Sequence, residues 1–441
     1  MHAAVSLLSV AAAWHCLCER SVAVAQHTDS REPMRNDLQS VQTAPMKAPL
    51  TAVLFTLQLG AAAEANERDD APAYDFEAVY TADLWRNTRG GLRTGGVYLD
   101  NLDVTLAVDG ERAWGARGVS AYLYGLYNNS ARFSERYIGD AMGASNIDAP
   151  EAVRLYEAWM QWESAAAHAF SLRLGLYDLN SEFDASDGRS LFVHSTHGAG
   201  HDLAQTGQNG PSIFPVTSLT LRAAFSPADR WRILAAVLDG VPGDPAHPSS
   251  NRIRLSSEEG ALSIVEVQWS GERVTKASLG HWRYTAEFAD LRSTAAAPLP
   301  SRDDNRGVYA SIEVALDADA SNEPRTLAFA RYGVANDRIN EFANFFALGM
   351  RSRGLIASRP GDEFGLAIAH ATVGDAARYA STGVRRERYE STIELTYRAK
   401  LTEWLTIQPD IQYIFNPGAD PALDDSLAIG LRLEFSAAVQ R

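Results

Sequence analysis

Residues 390–435 alternate apolar and polar side chains through three successive stretches, and this alternation limits the fold more than any other feature of the chain. One face of the stretches is mostly apolar: Ser391, Ile393, Leu395, Tyr397, Leu405, Ile407, Ile411, Tyr413, Phe415, Leu427, Ile429, Leu431, Leu433 and Phe435. The other face is mostly polar: Glu390, Thr392, Glu394, Thr396, Arg398, Thr406, Gln408, Asp410, Gln412, Ala428, Gly430, Arg432 and Glu434. Because successive side chains of a strand point to opposite faces, the segment predicts a sheet with one apolar and one polar side.

Three features of these stretches favour a transmembrane barrel. Charged residues lie in the middle of the stretches, whose lengths fit the ~9–11 residues of a tilted spanning strand. Aromatic residues lie near the ends of the apolar faces, as in the girdles of membrane barrels. A sheet that is apolar outside and charged inside is a water-filled barrel in a bilayer. A soluble β-rich protein is the alternative interpretation.

The composition excludes several other classes. Hydrophobic residues make up 46% of the 441 residues and the mean hydropathy is −0.20, too polar for a helical membrane protein. The formal charge of −15 argues against nucleic-acid binding, which needs a basic surface. The chain has two cysteines, Cys16 and Cys18, and contains no GxSxG, HExxH, CxxC, Walker or Rossmann motif. We therefore predict neither an enzyme nor a bound cofactor.

The N-terminal region holds two export-like segments. Residues 3–13 are apolar but lack a preceding Lys or Arg, whereas Met46 and Lys47 precede the apolar run 50–59 and the small residues 60–65. The second segment has the charge, the apolar run and the cleavage site of a signal peptide in the expected order. We predict that residues 1–65 form an extension and signal peptide with the true start at Met46; a single signal with a long leading region is the alternative.

Further alternating stretches fill the chain after residue 75. In one of them, Tyr156, Ala158, Met160 and Trp162 oppose Glu157, Trp159, Gln161 and Glu163. Turn-rich segments separate the stretches at 128–150, 178–218, 239–257 and 289–307, as expected for short turns on one rim and long loops on the other. The fold class is thus all-β: a transmembrane antiparallel barrel of about 16 strands over residues 76–435, with a linker at 66–75 and a tail at 436–441.

Several short motifs, in order, resemble one porin family. They are the segments TLAVD at 105–109, LYDLNSEF at 176–183, NGPS at 209–212, VLDG at 237–240 and IQPDIQYI at 407–414. Together they are similar to the carbohydrate-selective porin family typified by OprB. The resemblance implies a single outer-membrane barrel, like other 16-stranded porins, that passes sugars passively. Residues 436–441 after Phe435 and the first 45 residues depart from the family pattern.

A channel selective for sugars needs hydrogen-bonding groups for the hydroxyls and an aromatic surface for the ring. We predict these pore-lining candidates: Asp83, Arg86, Asp103, Glu157, Trp159, Gln161, Glu163, Arg173, Asp178, Asn180, Glu182 and Asp184. In the alternative interpretation, Trp159 packs against a loop and the charges only solvate the lumen. The long loop 178–218 is expected to fold inward and constrict the lumen, the alternative being an outward arch.

The remaining expectations concern partners and location. We interpret His194, His197, His201 and Asp202 as polar loop residues and predict no metal site. The expected partners are sugars, outer-membrane lipid and the barrel-assembly machinery, with a homo-oligomer possible and no nucleic acid. The expected location is the bacterial outer membrane, reached through the periplasm. A channel for other solutes and an outer-membrane barrel enzyme are the alternative functions.

We expect the mature chain to begin near residues 61–66, because the segment that starts at Met46 has the better charge and cleavage pattern. N-terminal sequencing of the outer-membrane form measures this directly. A mature start near Gln26 would contradict the assignment.

Overall fold

The computed structural model describes residues 72–440 except residues 130, 166–168, 245, 248, 319–323 and 380–384. The predicted signal peptide and the start at Met46 lie outside the described residues. The described chain forms a closed antiparallel barrel in which each strand pairs with the next and β1 pairs with β16. The strands are β1 Tyr74–Arg89, β2 Gly95–Asp109, β3 Val119–Asn129, β4 Ala152–Glu163, β5 Phe170–Tyr177, β6 Ser218–Ala228, β7 Trp231–Asp239, β8 Ala261–Trp269, β9 Val274–Tyr284, β10 Arg306–Ala318, β11 Pro324–Ala335, β12 Phe342–Arg353, β13 Glu363–Val373, β14 Tyr389–Thr402, β15 Leu405–Phe415 and β16 Ser426–Gln440.

Helices are short and lie in the connections. The α-helices are α1 Gly110–Trp114, α2 His201–Ala204 and α3 Asp375–Tyr379, and single turns of other types cover Ser134–Ile138, Leu179–Ser181, Ser195–His197 and Pro417–Ala419. Among the described residues, no helix has the length and apolar character to cross a bilayer.

The predicted faces of the last three strands are confirmed. Ile393 and Leu395 are each 40% exposed on the outer surface, whereas Glu394 between them is fully buried. The same alternation holds on β15, where Ile411 is exposed and Gln412 is buried. The apolar face is therefore available to lipid and the polar face points into the barrel.

The ends of the barrel differ from the predicted bounds. Tyr74 and Asp75, expected in the linker, already belong to β1. Residues 436–440, expected as a tail, continue β16, and Gln440 pairs with Asp75. The backbone ladder extends past Phe435 because β1 begins early enough to supply hydrogen-bonding partners.

The two rims differ as predicted. Short turns join β2 to β3, β6 to β7, β8 to β9 and β14 to β15. The first residues of β1 and the last residues of β16 lie on the same rim. The other rim carries the long connections. Two of them, 131–151 and 178–217, bond to inward side chains of the wall. In outer-membrane barrels the short turns are periplasmic and the long loops extracellular.

A bulge in β4 was not predicted. Tyr124 pairs with Glu157, but the next residue of β3, Gly125, pairs with Leu155, so Tyr156 has no opposite residue. Tyr156 and Glu157 are consequently both buried on the inner side, while Leu155 is exposed outside. The placement of Tyr156 on the outer apolar face is wrong, because the extra residue shifts the alternation by one.

Strand β9 also departs from the simple rule of an apolar outside. Trp282 and Tyr284 are fully buried on the inner side, and His281 and Arg283 are exposed on the outer side. Loop residues supply the apolar surroundings: Leu179, Phe183 and Leu203 belong to the same core cluster as the two rings. Where a loop covers the wall, an inward aromatic residue is as well buried as in a soluble core.

The covered wall changes one expectation about mutations. Thr396 and Ala428 face inward, as predicted from the pattern, and the pattern alone implies that Arg is tolerated there. Gln408 bonds to both Thr396 Oγ1 and the loop carbonyl of Leu191, and Ala428 packs with Val193 and Ile147. Arginine at either position would displace a packed loop, so tolerance is no longer expected.

We expect Leu395→Arg and Leu431→Arg to reduce the folded fraction of the barrel, since a charge facing lipid near mid-membrane costs about 2–4 kcal/mol. Thr105→Arg is the inward control, because Thr105 is half-buried and lies opposite Glu77 across the ladder. Heat-modifiable electrophoretic mobility after refolding into lipid vesicles measures the folded fraction. Equal loss in all three variants would contradict the assigned faces.

Candidate functional site

Three glutamates on the inner wall bind the backbone of the long connection 178–217, called loop L3 below. Glu266 accepts from the N–H of Asp184 at 2.8 Å, and Glu313 accepts from the N–H of Gly188 at 2.5 Å. Glu394 accepts from the N–H groups of Val193 and His194 at 2.6 and 3.2 Å. These hydrogen bonds, spaced along β8, β10 and β14, fix the course of L3 on the inner wall.

Arg331 on β11 clamps two parts of L3 together. Its guanidinium donates to Asp184 at 2.9–3.2 Å and also to Asp202, and all three side chains are buried. Burial alone would raise the pKa of Asp184, but the positive charges of Arg331 and Arg189 hold that pKa below its usual value. A Cβ at Gly333 would lie 2.1 Å from Asp202, so only glycine leaves room for this clamp.

The histidines of L3 lie in its core. His197 packs against Phe192 at 4.8 Å and Phe329 at 6.0 Å, and His201 packs against Phe342 at 4.6 Å between ring centroids. Burial lowers the pKa of His194 to about 3 and of His201 to about 4, so both rings are neutral at physiological pH. They lie in the loop, as expected from the sequence, and act there as packing groups.

A cavity of about 900 Å³ opens among the long loops. Asp103 and Asp178 line it, and each is held by a tyrosine hydroxyl: Tyr124 donates to Asp103 at 2.7 Å and Tyr156 donates to Asp178 at 2.7 Å. Burial raises the pKa of Asp178 to about 6, against the lowering effect of the bonds from Tyr156 and from the N–H of Asn180. The cavity thus offers carboxylate oxygens beside phenol rings.

A second cavity of about 1140 Å³ opens at the short-turn rim, and Trp159, Gln161 and Glu163 line it. Between the two cavities, the inner face of β3 and β4 carries a row of rings that we call the aromatic strip: Tyr124, Tyr122 and Trp159. The centroids of Tyr122 and Trp159 are 5.2 Å apart in a stacked arrangement, and those of Tyr122 and Tyr124 are 6.4 Å apart. The strip runs from a ring that lines one cavity to a ring that lines the other.

Charged groups border the strip. Glu157 accepts from Trp159 Nε1 at 3.1 Å and from the N–H of Asp178 at 3.1 Å. The guanidinium of Arg173 lies 3.8 Å from the centre of the Trp159 ring. Stacked against an aromatic face, an arginine keeps N–H groups available for hydroxyl acceptors while its plane is held in place.

An arginine cluster continues from Arg173 around the wall. Glu182 of L3 pairs with Arg173 at 3.5 Å, Arg222 at 2.8 Å and Arg232 at 2.6 Å. Burial would raise the pKa of Glu182, but the charges of Arg173 and Arg222 lower it further than burial raises it. The strip therefore has acids on one side, at Asp103, Glu157 and Asp178, and arginines on the other.

The structure brings most predicted residues together and separates a few. Those at the strip and the two cavities are Asp103, Glu157, Trp159, Gln161, Glu163, Arg173, Asp178, Asn180 and Glu182. Asp83 is buried in the wall beneath Arg432, whose guanidinium donates to it at 2.7 and 2.8 Å. Asp184 is buried in the Arg331 clamp, so its expected contact with solute is wrong.

Arg86 is also not a pore-lining residue, in contrast to the prediction. It lies opposite Ile429, which is exposed on the outer surface, and is itself exposed. Arg86 shares the parity of Leu84, so the alternation already in the sequence places it outside, and it does not line the lumen.

Sequence reasoning missed Tyr122, Tyr124, Arg222 and Arg432. The two tyrosines were detectable, since they alternate with Ala121 and Leu123 in a strand pattern. The arginines were not, because each gains its partners from distant strands or loops.

Comparison with known proteins agrees with this architecture. The sequence profile of the carbohydrate-selective porin, OprB family, matches residues 93–436. Porin B of Pseudomonas aeruginosa is 23% identical over 402 residues, covering 82% of this chain and 87% of that relative. The putative porin QuiX of Acinetobacter baylyi is 20% identical over 312 residues, covering 64% of this chain and 69% of that relative.

Solved structures give the same fold. The high-pH structure of OprB from Pseudomonas putida has a TM-score of 0.73 at 20% identity, covering 83% of this chain and 94% of that one. The low-pH structure of the same protein has a TM-score of 0.52 at 16% identity. The closed 16-strand barrel, the sequence profile and the two curated porin relatives agree, and the chain belongs to the OprB family of carbohydrate-selective porins, sugar-selective channels of the bacterial outer membrane.

Proposed function

We propose that sugars cross this channel along the aromatic strip and that loop L3 narrows the lumen beside it. The observation that carries this proposal is the arrangement of Tyr122 and Trp159 between acids and arginines on one inner wall. A sugar ring has weakly apolar faces and a rim of hydroxyl groups, and the strip matches both.

The acids serve as acceptors for sugar hydroxyls. Asp103, Glu157 and Asp178 are not in ion pairs with any described residue. Each also accepts hydrogen bonds from neighbouring protein groups, and Asp103 Oδ2 and Glu157 Oε1 accept from none of the described donors. The tyrosine bonds fix the orientation of the carboxylates before solute arrives. A preset site loses less entropy when it binds a passing solute.

The arginines serve as donors on the opposite side of the strip. Gln161 accepts from Arg173 at 2.9 Å and from Arg222 at 2.7 Å, which keeps both guanidinium groups in position at the inner wall. A neutral hydroxyl-rich solute bonds to acids and arginines at once, whereas a small ion is attracted by one side and repelled by the other. Selectivity then follows from the spacing of donors and acceptors in the lumen.

The course of L3 supports a narrowing role. Its residues bond to inward side chains of β8, β10, β11, β14 and β15, so the loop occupies space inside the ring of strands. Residues 131–151 also fold against the inner wall next to L3, where Glu390 of β14 accepts from the N–H groups of Ala141 and Met142 at 2.8 and 2.9 Å. The open space is left next to β2–β5, where the strip lies.

The proposal extends to biogenesis. The outward apolar faces fit outer-membrane lipid, and export through the periplasm with insertion by the barrel-assembly machinery follows from the family's location. The segment before residue 72 supplies the signal peptide in this proposal. A homo-oligomer would bury part of the outer face and is compatible with it.

We expect Trp159→Ala to weaken block of ionic current by sugar about tenfold, because it removes a ring-sized surface and the support of Arg173. Glu157→Gln should weaken it about fivefold, since the substitution replaces one carboxyl oxygen acceptor with an amide NH2 donor. Single-channel recording with a panel of neutral sugars measures the half-blocking concentration. Trp162→Ala is the matched control, as Trp162 lies on the same strand but is exposed outside. Unchanged block in both inner variants would contradict the strip as the sugar path.

We expect Arg331→Leu to raise conductance and to reduce discrimination among sugars. The substitution leaves Asp202 buried without a guanidinium partner and Asp184 with Arg189 alone, a loss of about 3–5 kcal/mol that favours release of L3 from the wall. Arg398→Leu is the control, because Arg398 of β14 pairs at 3.3 Å with Glu434 in a partly exposed position, and such a pair contributes little. A folded Arg331→Leu barrel with wild-type conductance and sugar block would show that L3 does not set the width.

A further inference from the structure

Two arginines face each other on the outer surface of the barrel. Arg283 of β9 and Arg306 of β10 are directly opposite residues in the antiparallel ladder, and both are exposed on the lipid-facing side. Like charges directly opposite on a sheet destabilise it. Such a pair in an otherwise apolar surface calls for an anion.

No described carboxylate neutralises this pair through an ion pair. Asp304 is near Arg306, but its two oxygens already accept from Arg302 at 2.9 and 2.5 Å. Asp304 offsets part of the charge of Arg306, whereas neither arginine forms an ion pair with a described carboxylate.

A groove of about 420 Å³ adjoins the pair. His281, Arg306, Val308, Val334 and Asn336 are among the residues that line it. Charged residues of the groove are Arg306 and Asp304, and Val308 and Val334 add apolar surface. The groove lies outside the lumen because His281 and Val308 are opposite outward residues of the ladder. Nothing in the sugar path uses these residues.

The position of the pair relative to the bilayer identifies the occupant. Arg283 and Arg306 lie at the ends of their strands on the long-loop rim, which is the extracellular rim of outer-membrane barrels. Tyr332, exposed on the neighbouring strand β11, pairs with Ala310 and is therefore level with Leu279, so this interface aromatic residue lies on the membrane side of the arginine pair. Toward mid-membrane, Leu279 and Ile312 are exposed and continue the same surface with apolar side chains.

We propose that Arg283 and Arg306 bind a phosphate group on the headgroup of an outer-leaflet lipid, whose acyl chains lie along Leu279 and Ile312. Guanidinium groups bind phosphate through paired charge-assisted hydrogen bonds, and two of them on adjacent strands reach the same group from both sides. Bound phosphate removes the repulsion between the arginines. The apolar surface at Leu279 and Ile312 fits the acyl chains of an amphipathic ligand, whereas a free ion would not contact it.

The purified barrel in detergent, titrated with diphosphoryl lipid A and followed by native mass spectrometry, tests the proposal. The Arg283→Gln/Arg306→Gln double variant should bind this lipid at least about tenfold more weakly, as expected for loss of charge-assisted bonds. Arg86→Gln is the matched control and should bind like the wild type, because Arg86 is also an exposed outward arginine but lies on β1 without an opposite arginine.

A second variant separates binding from folding. Arg306→Glu places opposite charges across the ladder, so the barrel should fold at least as well as the wild type while lipid binding falls. Equal binding in wild type and Arg306→Glu, or equal loss in Arg86→Gln, would overturn the site. Displacement of the lipid by millimolar inorganic phosphate would overturn the lipid as its ligand. Sugar block measured on the same variants should stay unchanged, which keeps this site distinct from the sugar path.

Discussion

The lumen of this barrel takes its shape from carboxylates that bind loop backbone. The carbonyls of a barrel wall are used in the ladder between strands, so a loop that folds inward finds few backbone acceptors there. Glu266, Glu313, Glu390 and Glu394 supply the acceptors in their place. Many of the inward carboxyl groups on β8–β14 therefore hold loops and do not contact solute. The open part of the lumen lies beside β2–β5.

The two halves of the wall have different roles as a result. Strands β8–β15 hold L3 and contribute buried rings such as Trp282 and Phe345 to the loop's packing. Strands β2–β5 keep their inward side chains at the cavities, and there the aromatic strip lies between acids and arginines. A single rule of alternation builds both halves, but the presence or absence of a covering loop decides whether an inward residue acts as core or as lining.

This division also explains what sequence could and could not predict. The faces of Ile393 and Leu395 and the lumenal placement of Trp159 follow from period-two alternation, which is a local property of the chain. The strand number follows from the length of the barrel region at roughly 20–25 residues per strand and connection, and from the family resemblance. Tyr156 was assigned to the wrong face because β4 contains a bulge of one extra residue, and no residue type in this stretch indicates a bulge. Asp184 was misread because its role depends on Arg331, and no local pattern connects two residues so far apart in the chain.

The pairing of Asp83 with Arg432 has a consequence for how the barrel is completed. The two residues lie opposite each other across the seam where β1 meets β16, where Asp83 is buried and Arg432 is partly buried. Their charges remain apart until the last strand joins the first. A closure shifted by one residue would turn one of them toward lipid and leave the other unpaired, at a cost of several kcal/mol. The ion pair therefore favours the correct register of β1 and β16, because a barrel closed in a shifted register is less stable and reopens more readily.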